Sequence, residues 1–189
     1  MSTPVIIFYA LMTCWLFTEV YYKQALSSGE NDTKGKDKST LSLLWIVIMI
    51  SIGLSFAAAN TVDAGMTDGI WIYYLGLLLL FMGIVLRVVI VKSLGRYFTV
   101  DVTIREDHQI KKDGFYRFLR HPSYSMSLLT FLGLGLFLNN WLALAIAFIP
   151  PFLAFSYRIR IEEQALTEQF GDEYTSYKKQ TKKIIPFIY

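Results

Sequence analysis

One cysteine and two histidines are too few for much of the chemistry a sequence can announce. The lone thiol, Cys14, excludes an internal disulfide and any multi-cysteine metal site, and in its apolar run it reads as filler. Neither His108 nor His121 has a cysteine or carboxylate cluster at zinc-ligand spacing, so no metal is expected. Charge is scarce too, at 17% of 189 residues with a net +3. No basic stretch is interleaved with aromatics in a soluble module, so that charge points to membrane orientation and not to nucleic acid. No internal repeat is visible. The GxG at Gly133–Gly135 follows no strand and lies in an apolar run, which makes it helix-packing glycine and not a nucleotide loop.

What the chain has in excess is apolar surface: 54% hydrophobic and 16% aromatic residues, with a mean hydropathy of +0.42. A domain of this size cannot bury that much. Crossing a hydrocarbon core takes about 20 helical residues, and four regions are long enough, at about 4–22, 41–60, 70–91 and 124–157. The last is double length and broken at Asn139-Asn140, which predicts a hairpin of two short spans. The first run has no basic stretch before it and no small-residue cleavage site after it, so it reads as a retained helix and not a signal peptide. The expected fold is therefore all-α and integral to the membrane, with about five transmembrane helices, a C-terminal helical hairpin, a cytoplasmic segment and an amphipathic tail.

Charge orients these spans. Lys23, Lys34, Lys36 and Lys38 fall in the first connection, and Lys92 through Arg120 follow the third span. Arg158, Arg160, Lys178, Lys179, Lys182 and Lys183 follow the fifth. The 60–69 turn has Asp63 and Asp68 but no base. Five spans with the N-terminus outside put the bases on or near one face, the cytoplasmic one. The division expected is 1–93, three spans with a polar Lys-rich linker at 27–40, and 94–189, which holds the polar segments and the hairpin 124–157.

Two of those segments are too elaborate to be connections. In the first, Phe98–Ile104 alternates as an extended stretch does, and Asp113-Gly114 signals a turn. It ends in "FLRHPSYSM". Pro122 suits the first position of a helix, with His121 near the cap and the N–H groups of Ser123, Tyr124 and Ser125 directed at the cytoplasm as a small anion site. The plainer alternative has Arg120 snorkelling to phosphates and Tyr124 in the interfacial belt. The tail is amphipathic over Ile161, Ala165, Leu166, Tyr174 and Tyr177, broken at Gly171. Near its start, Arg158, Glu162 and Glu163 stand at the membrane edge. An i,i+4 pair there contributes only about 0.3–0.5 kcal/mol, a small return for charge so close to hydrocarbon, whereas a bound zwitterion would give Glu162 an ammonium to hold. Glu19 and Arg87, at similar depth in the first and third spans, are expected to pair or to face the site.

Taken in order, "LGRYFT", "GFYRFLRHPSY", Arg158-x-x-x-Glu162-Glu163, "FGDEYTSY" and Ile185-Pro186 resemble the isoprenylcysteine carboxyl methyltransferase family over residues 90–189. The resemblance implies methyl transfer from S-adenosylmethionine to a lipophilic carboxylate that enters from the bilayer. It carries cofactor contacts onto Thr103, His108, Gln109, Ile110, Lys111, Tyr116, His121, Pro122, Ser123, Tyr124, Glu162 and Glu163. Arg158 becomes the acceptor-binding residue, catalytic together with Glu162. Where the family commonly has glycine after the R-H-P-x-Y motif, Ser125-Met126 stand here. A phospholipid amine N-methyltransferase and a non-catalytic membrane protein are the alternatives; an amine acceptor would favour an acid over Arg158.

Overall fold

The computed structural model describes residues 2–25, 38–95 and 110–185. Six α-helices follow in order: α1 Thr3–Ala25, α2 Lys38–Thr61, α3 Trp71–Leu94, α4 Pro122–Phe137, α5 Trp141–Phe170 and α6 Asp172–Gln180. A 3-10 turn, Gly114–Arg117, precedes α4. In hydrocarbon every backbone N–H and C=O must be satisfied within the segment, which leaves a long apolar run no better conformation than a helix.

Four helices, α1, α2, α3 and α5, are long and apolar enough to cross a membrane. The hairpin differs from the expected pair of short spans. Its first arm, α4, has 16 residues, about 24 Å at helical rise. Its second arm is not short: α5 runs unbroken for 30 residues, about 45 Å, through Pro150 and Pro151 and past the Arg158–Glu163 cluster. The first 20 residues of α5 suffice for a hydrocarbon core of about 30 Å, and the charged cluster begins near the end of that length. Gly171, at φ 52°, ends α5 where the sequence predicts a break, because a side chain there would be strained.

Helix α4 is the centre of the bundle. Glycines let α3 approach it closely: a Cβ on Gly133 would lie 2.5 Å from the Leu80 nitrogen, and one on Gly76 2.5 Å from the Phe137 nitrogen. From α1, Phe8 stacks on Phe137 at 4.1 Å and Trp15 meets Phe131 edge-on. Phe155 and Ile159 of α5 complete this core. Phe17, Leu54, Leu78 and Leu153, from four different helices, are exposed outward, as lipid-facing side chains are.

The two ends of the bundle are built differently. At one, Asn139 turns the chain with φ 49°, and its amide donates to the Thr67 carbonyl at 2.8 Å. Asn140 caps α5 by accepting from the Ala143 N–H, and its own amide donates to the Val62 carbonyl at 2.8 Å. At the other end, Leu119 and Lys182 form a parallel bridge that lays the tail beside the start of α4. Ile184 is buried in the core, and its carbonyl accepts from the Ser125 hydroxyl.

Candidate active site at the start of α4

Helix α4 starts at Pro122, where the missing N–H costs nothing, and His121 is its cap residue. The His121 carbonyl accepts from the N–H groups of Tyr124, at 3.1 Å, and Ser125, at 3.3 Å. The anion site expected from three free N–H groups is therefore narrower. Two of the three are spent inside the helix, and Ser123 is the one left at its mouth.

The His121 side chain is wedged between consecutive carboxylates of α5. Its Nδ1 lies 3.4 Å from Glu162 Oε2 and its Nε2 3.5 Å from Glu163 Oε1. Burial works against the imidazolium, but the two carboxylates outweigh it and raise the pKa above the ordinary histidine value.

Tyr124 reaches α5 one turn further on. Its hydroxyl donates to Glu162 Oε1, and Arg158 Nε donates to the same hydroxyl at 3.0 Å and to Glu162 Oε1 at 3.1 Å. Arg158 Nη1 meets Thr40 Oγ1 of α2 at 3.3 Å. The Arg158 side chain is 2% exposed, so its charge is held inside the protein by these partners. The i,i+4 spacing by itself gives a weak pair; burial and the shared Tyr124 hydroxyl make it a three-membered network.

Arg120 does not snorkel. It turns inward, with Nε donating to Glu163 Oε1 at 2.8 Å and side chains 6% and 7% exposed on the two partners. Its Nη1 donates to the Lys178 carbonyl at 3.1 Å and to the Thr181 carbonyl, the open C-terminal end of α6. The Arg120 and His121 N–H groups donate to the carbonyls of Lys182, at 2.8 Å, and Lys183, at 3.0 Å. Tyr177 Oη donates to the Tyr116 carbonyl at 2.6 Å. The tail is thus strapped to the R-H-P segment by backbone and guanidinium together.

His121, Tyr124, Arg158, Glu162 and Glu163 come together in one cluster, with buried Pro122 and Ser123 forming the first turn beneath it. Tyr116 is buried beside α6, and burial raises its pKa. Lys111, next to Ile110 at the entrance of this segment, turns to Asp113 at 3.2 Å. Thr103, His108 and Gln109 lie outside the described residues, as does the predicted extended stretch Phe98–Ile104. Sequence reasoning missed Thr40, which carries no motif and reaches Arg158 from 118 positions away. Tyr174, expected on the amphipathic face of the tail, is buried but was given no role at the site.

The donor set suits an amino-acid-bearing cofactor. Two carboxylates could take an ammonium, and the Ser123 N–H a carboxylate. Three buried side-chain atoms, His121 Nε2, Ser156 Oγ and Tyr174 Oη, have no hydrogen-bond partner among the described residues; the first and third belong to this end of the bundle, and such orphans mark places where a partner arrives from outside.

The phospholipid methyltransferase family profile matches residues 71–173. Protein-S-isoprenylcysteine O-methyltransferase B of Arabidopsis thaliana is 34% identical over 163 residues, 82% of each chain. The Saccharomyces cerevisiae protein-S-isoprenylcysteine O-methyltransferase is 38% identical over 116 residues, 60% of this chain and 48% of that one. Among solved structures, the eukaryotic intramembrane Ras methyltransferase (isoprenylcysteine carboxyl methyltransferase) superposes with a TM-score of 0.66 at 23% identity. The match covers 98% of this chain and 68% of that one.

Proposed function

The chain belongs to the family of membrane methyltransferases that includes the protein-S-isoprenylcysteine O-methyltransferases, and on that premise we propose that it methylates the carboxylate of an S-isoprenylcysteine or similar lipophilic acid, with S-adenosylmethionine as donor. One observation carries the choice of acceptor. Among the described residues of the cluster, the Arg158 guanidinium is 2% exposed and bonded beside Glu162, the carboxylate proposed to hold the donor. A buried guanidinium at that place attracts an anionic acceptor and disfavours a cationic one.

Glu162 and Glu163 would hold the ammonium of the donor, and the Ser123 N–H its carboxylate. Tyr116 and Tyr124 would line its remaining surface, with Thr103, His108, Gln109, Ile110 and Lys111 as further contacts. Bound there, S-adenosylmethionine supplies an electrophilic methyl on a sulfonium, which an ionised carboxylate oxygen takes without prior deprotonation, leaving a methyl ester and a neutral thioether. Carboxylates are ionised near neutral pH, so no general base is needed. Arg158 would hold the acceptor through its Nη side, where a charge-assisted bond replaces the long contact to Thr40. Alignment and exclusion of water then carry much of the rate.

Position at the membrane edge suits two entrances, the acceptor's tail from lipid and the donor from water. The site end carries Lys112, Arg117, Lys178, Lys179, Lys182 and Lys183, and the opposite end Asp63 and Asp68, which supports a cytoplasmic site. We take α4 as a fifth spanning element, since its ends lie at these two opposite levels. Residues 94–189 act as the catalytic half, on which 1–93 impinges at Thr40 and Arg87.

The test is transfer of labelled methyl from S-adenosylmethionine by the protein in lipid nanodiscs. The expected product from an S-prenylated N-acylcysteine is alkali-labile, as an ester is, with no transfer to the same acceptor already esterified. Alkali-stable label on an aminophospholipid, with none on the acid, would contradict the assignment and favour the amine reading.

A further inference from the structure

Three acceptors converge on one guanidinium inside the bundle. Arg87 of α3 donates through Nε and Nη2 to the two oxygens of Glu19 on α1, the second at 3.0 Å. Its Nη1 donates to the carbonyl of Ser123 in the first turn of α4, at 3.2 Å. The side chains of Arg87 and Glu19 are 12% and 9% exposed. Both sit in helices that cross the membrane, where an ionisable pair is costly and by default functional.

Joining α1 to α3 explains the first two bonds but not the third. Helices α1 and α3 already share one apolar core through Phe8, Trp15, Leu77, Leu80 and Ile84, and a buried ion pair is often no better for stability than apolar residues of similar volume. The third bond goes to the backbone at the residue between Pro122 and Tyr124, inside the turn that presents the site. The Ser123 carbonyl accepts there from Ser127 Oγ as well, at 3.2 Å. Pro122 supplies no N–H, and the N–H groups of Tyr124 and Ser125 turn back to His121, so little within the helix fixes how this turn sits on α3. A guanidinium is suited to the task, since its planar fork holds a carboxylate on one side and keeps a donor in fixed direction on the other.

We propose that Glu19 and Arg87 are a positioning pair: Glu19 sets the guanidinium, and the guanidinium pins the first turn of α4 so that His121 and Tyr124 meet Glu162 in register. The geometry stands apart from the methyl-transfer reading; only the activity readout below rests on it. Neither residue touches the reacting atoms.

Two variants test this in nanodiscs. Glu19→Leu with Arg87→Met removes both charges and leaves no orphan, while Arg87→Lys keeps the ion pair but cannot hold Glu19 and Ser123 together. Thermal midpoints of both are expected to stay near the wild type. Hydrogen exchange over residues 121–128 is expected to quicken roughly tenfold, with residues 129–137 unchanged, as local loosening requires. The methyl-transfer kcat is expected to fall about tenfold or more, since small misplacements of aligned groups cost that much, with the acceptor KM little changed. A folded double variant with wild-type exchange at 121–128 would overturn the proposal and leave a plain intramembrane ion pair. Should the double variant not fold, Arg87→Lys decides on the same readouts. If the wild type transfers no methyl, the activity reading fails while the exchange comparison still decides the positioning role.

Discussion

Arg158→Ala is expected to lower methyl transfer by roughly 10²- to 10³-fold, the range for truncating one partner of a buried, hydrogen-bonded charge pair. Three losses combine in this change. Arg158 gives Nε bonds to Tyr124 Oη and Glu162 Oε1 and an Nη1 contact to Thr40, so its removal leaves Glu162 short of a buried countercharge. It also frees Tyr124, whose hydroxyl then has Glu162 alone. Most directly, it takes away the group proposed to fix the acceptor carboxylate. Arg158→Lys separates these effects: the charge stays near Glu162, but one ammonium cannot bind Tyr124, Glu162 and a carboxylate in the fork geometry. Initial rates with saturating donor are expected to rank wild type, then Lys, then Ala, with the acceptor KM raised in both variants. Activity within a few-fold of wild type in Arg158→Ala would remove Arg158 from the acceptor site.

Arg120→Ala is expected to release the tail. Arg120 spans Glu163 on α5 and the carbonyls of Lys178 and Thr181 at the end of α6. Removing it leaves Glu163 buried, with Lys178 Nζ at 3.6 Å and the His121 imidazolium at 3.5 Å as its remaining cations. Breaking one side of such a pair costs about 3–5 kcal/mol, and here much of that falls on one segment. Limited proteolysis between residues 171 and 185 is expected to become fast, while cleavage within α1–α5 stays slow. Binding of S-adenosylmethionine is expected to weaken alongside, because the tail carries Tyr174 and holds the backbone of His121 through Lys183. Unchanged proteolysis of the tail would show that the bridge between Leu119 and Lys182 and the Ile184 contact hold it without Arg120.

These two arginines also mark how far the sequence could be read. Hydropathy located α1, α2 and α3 within a few residues, since in lipid an apolar run of that length has one stable conformation. Asn139-Asn140 and Gly171 were legible as breaks because each supports a backbone shape that ordinary residues resist. Glu19 and Arg87 could be expected to pair from depth alone. The length of α5 was not legible, because hydropathy falls near Arg158 while the helix continues. Its continuity depends on partners for the charged turn, and those come from α2 and α4. Arg120 looked like a snorkelling residue because its acceptors, Glu163, Lys178 and Thr181, are 43 to 61 positions away. Ser123, Tyr124 and Ser125 appeared equal as donors, but only a backbone trace shows the His121 carbonyl claiming two of them. The motif resemblance names His121, Tyr124, Arg158, Glu162 and Glu163 together, and the structure brings them into one cluster in which their side chains satisfy one another.

The central claim is that Glu162, held by Arg158, Tyr124 and His121, is the anchor for the amino group of S-adenosylmethionine. Equilibrium binding of S-adenosylmethionine to the purified full chain, beside Glu162→Gln, tests it most directly. Saturable binding by the wild type, weakened roughly 10- to 100-fold in Glu162→Gln as loss of a hydrogen bond to a charged group requires, is the result predicted. Folded wild-type protein that binds no S-adenosylmethionine, or a variant that binds it as tightly, would contradict the account.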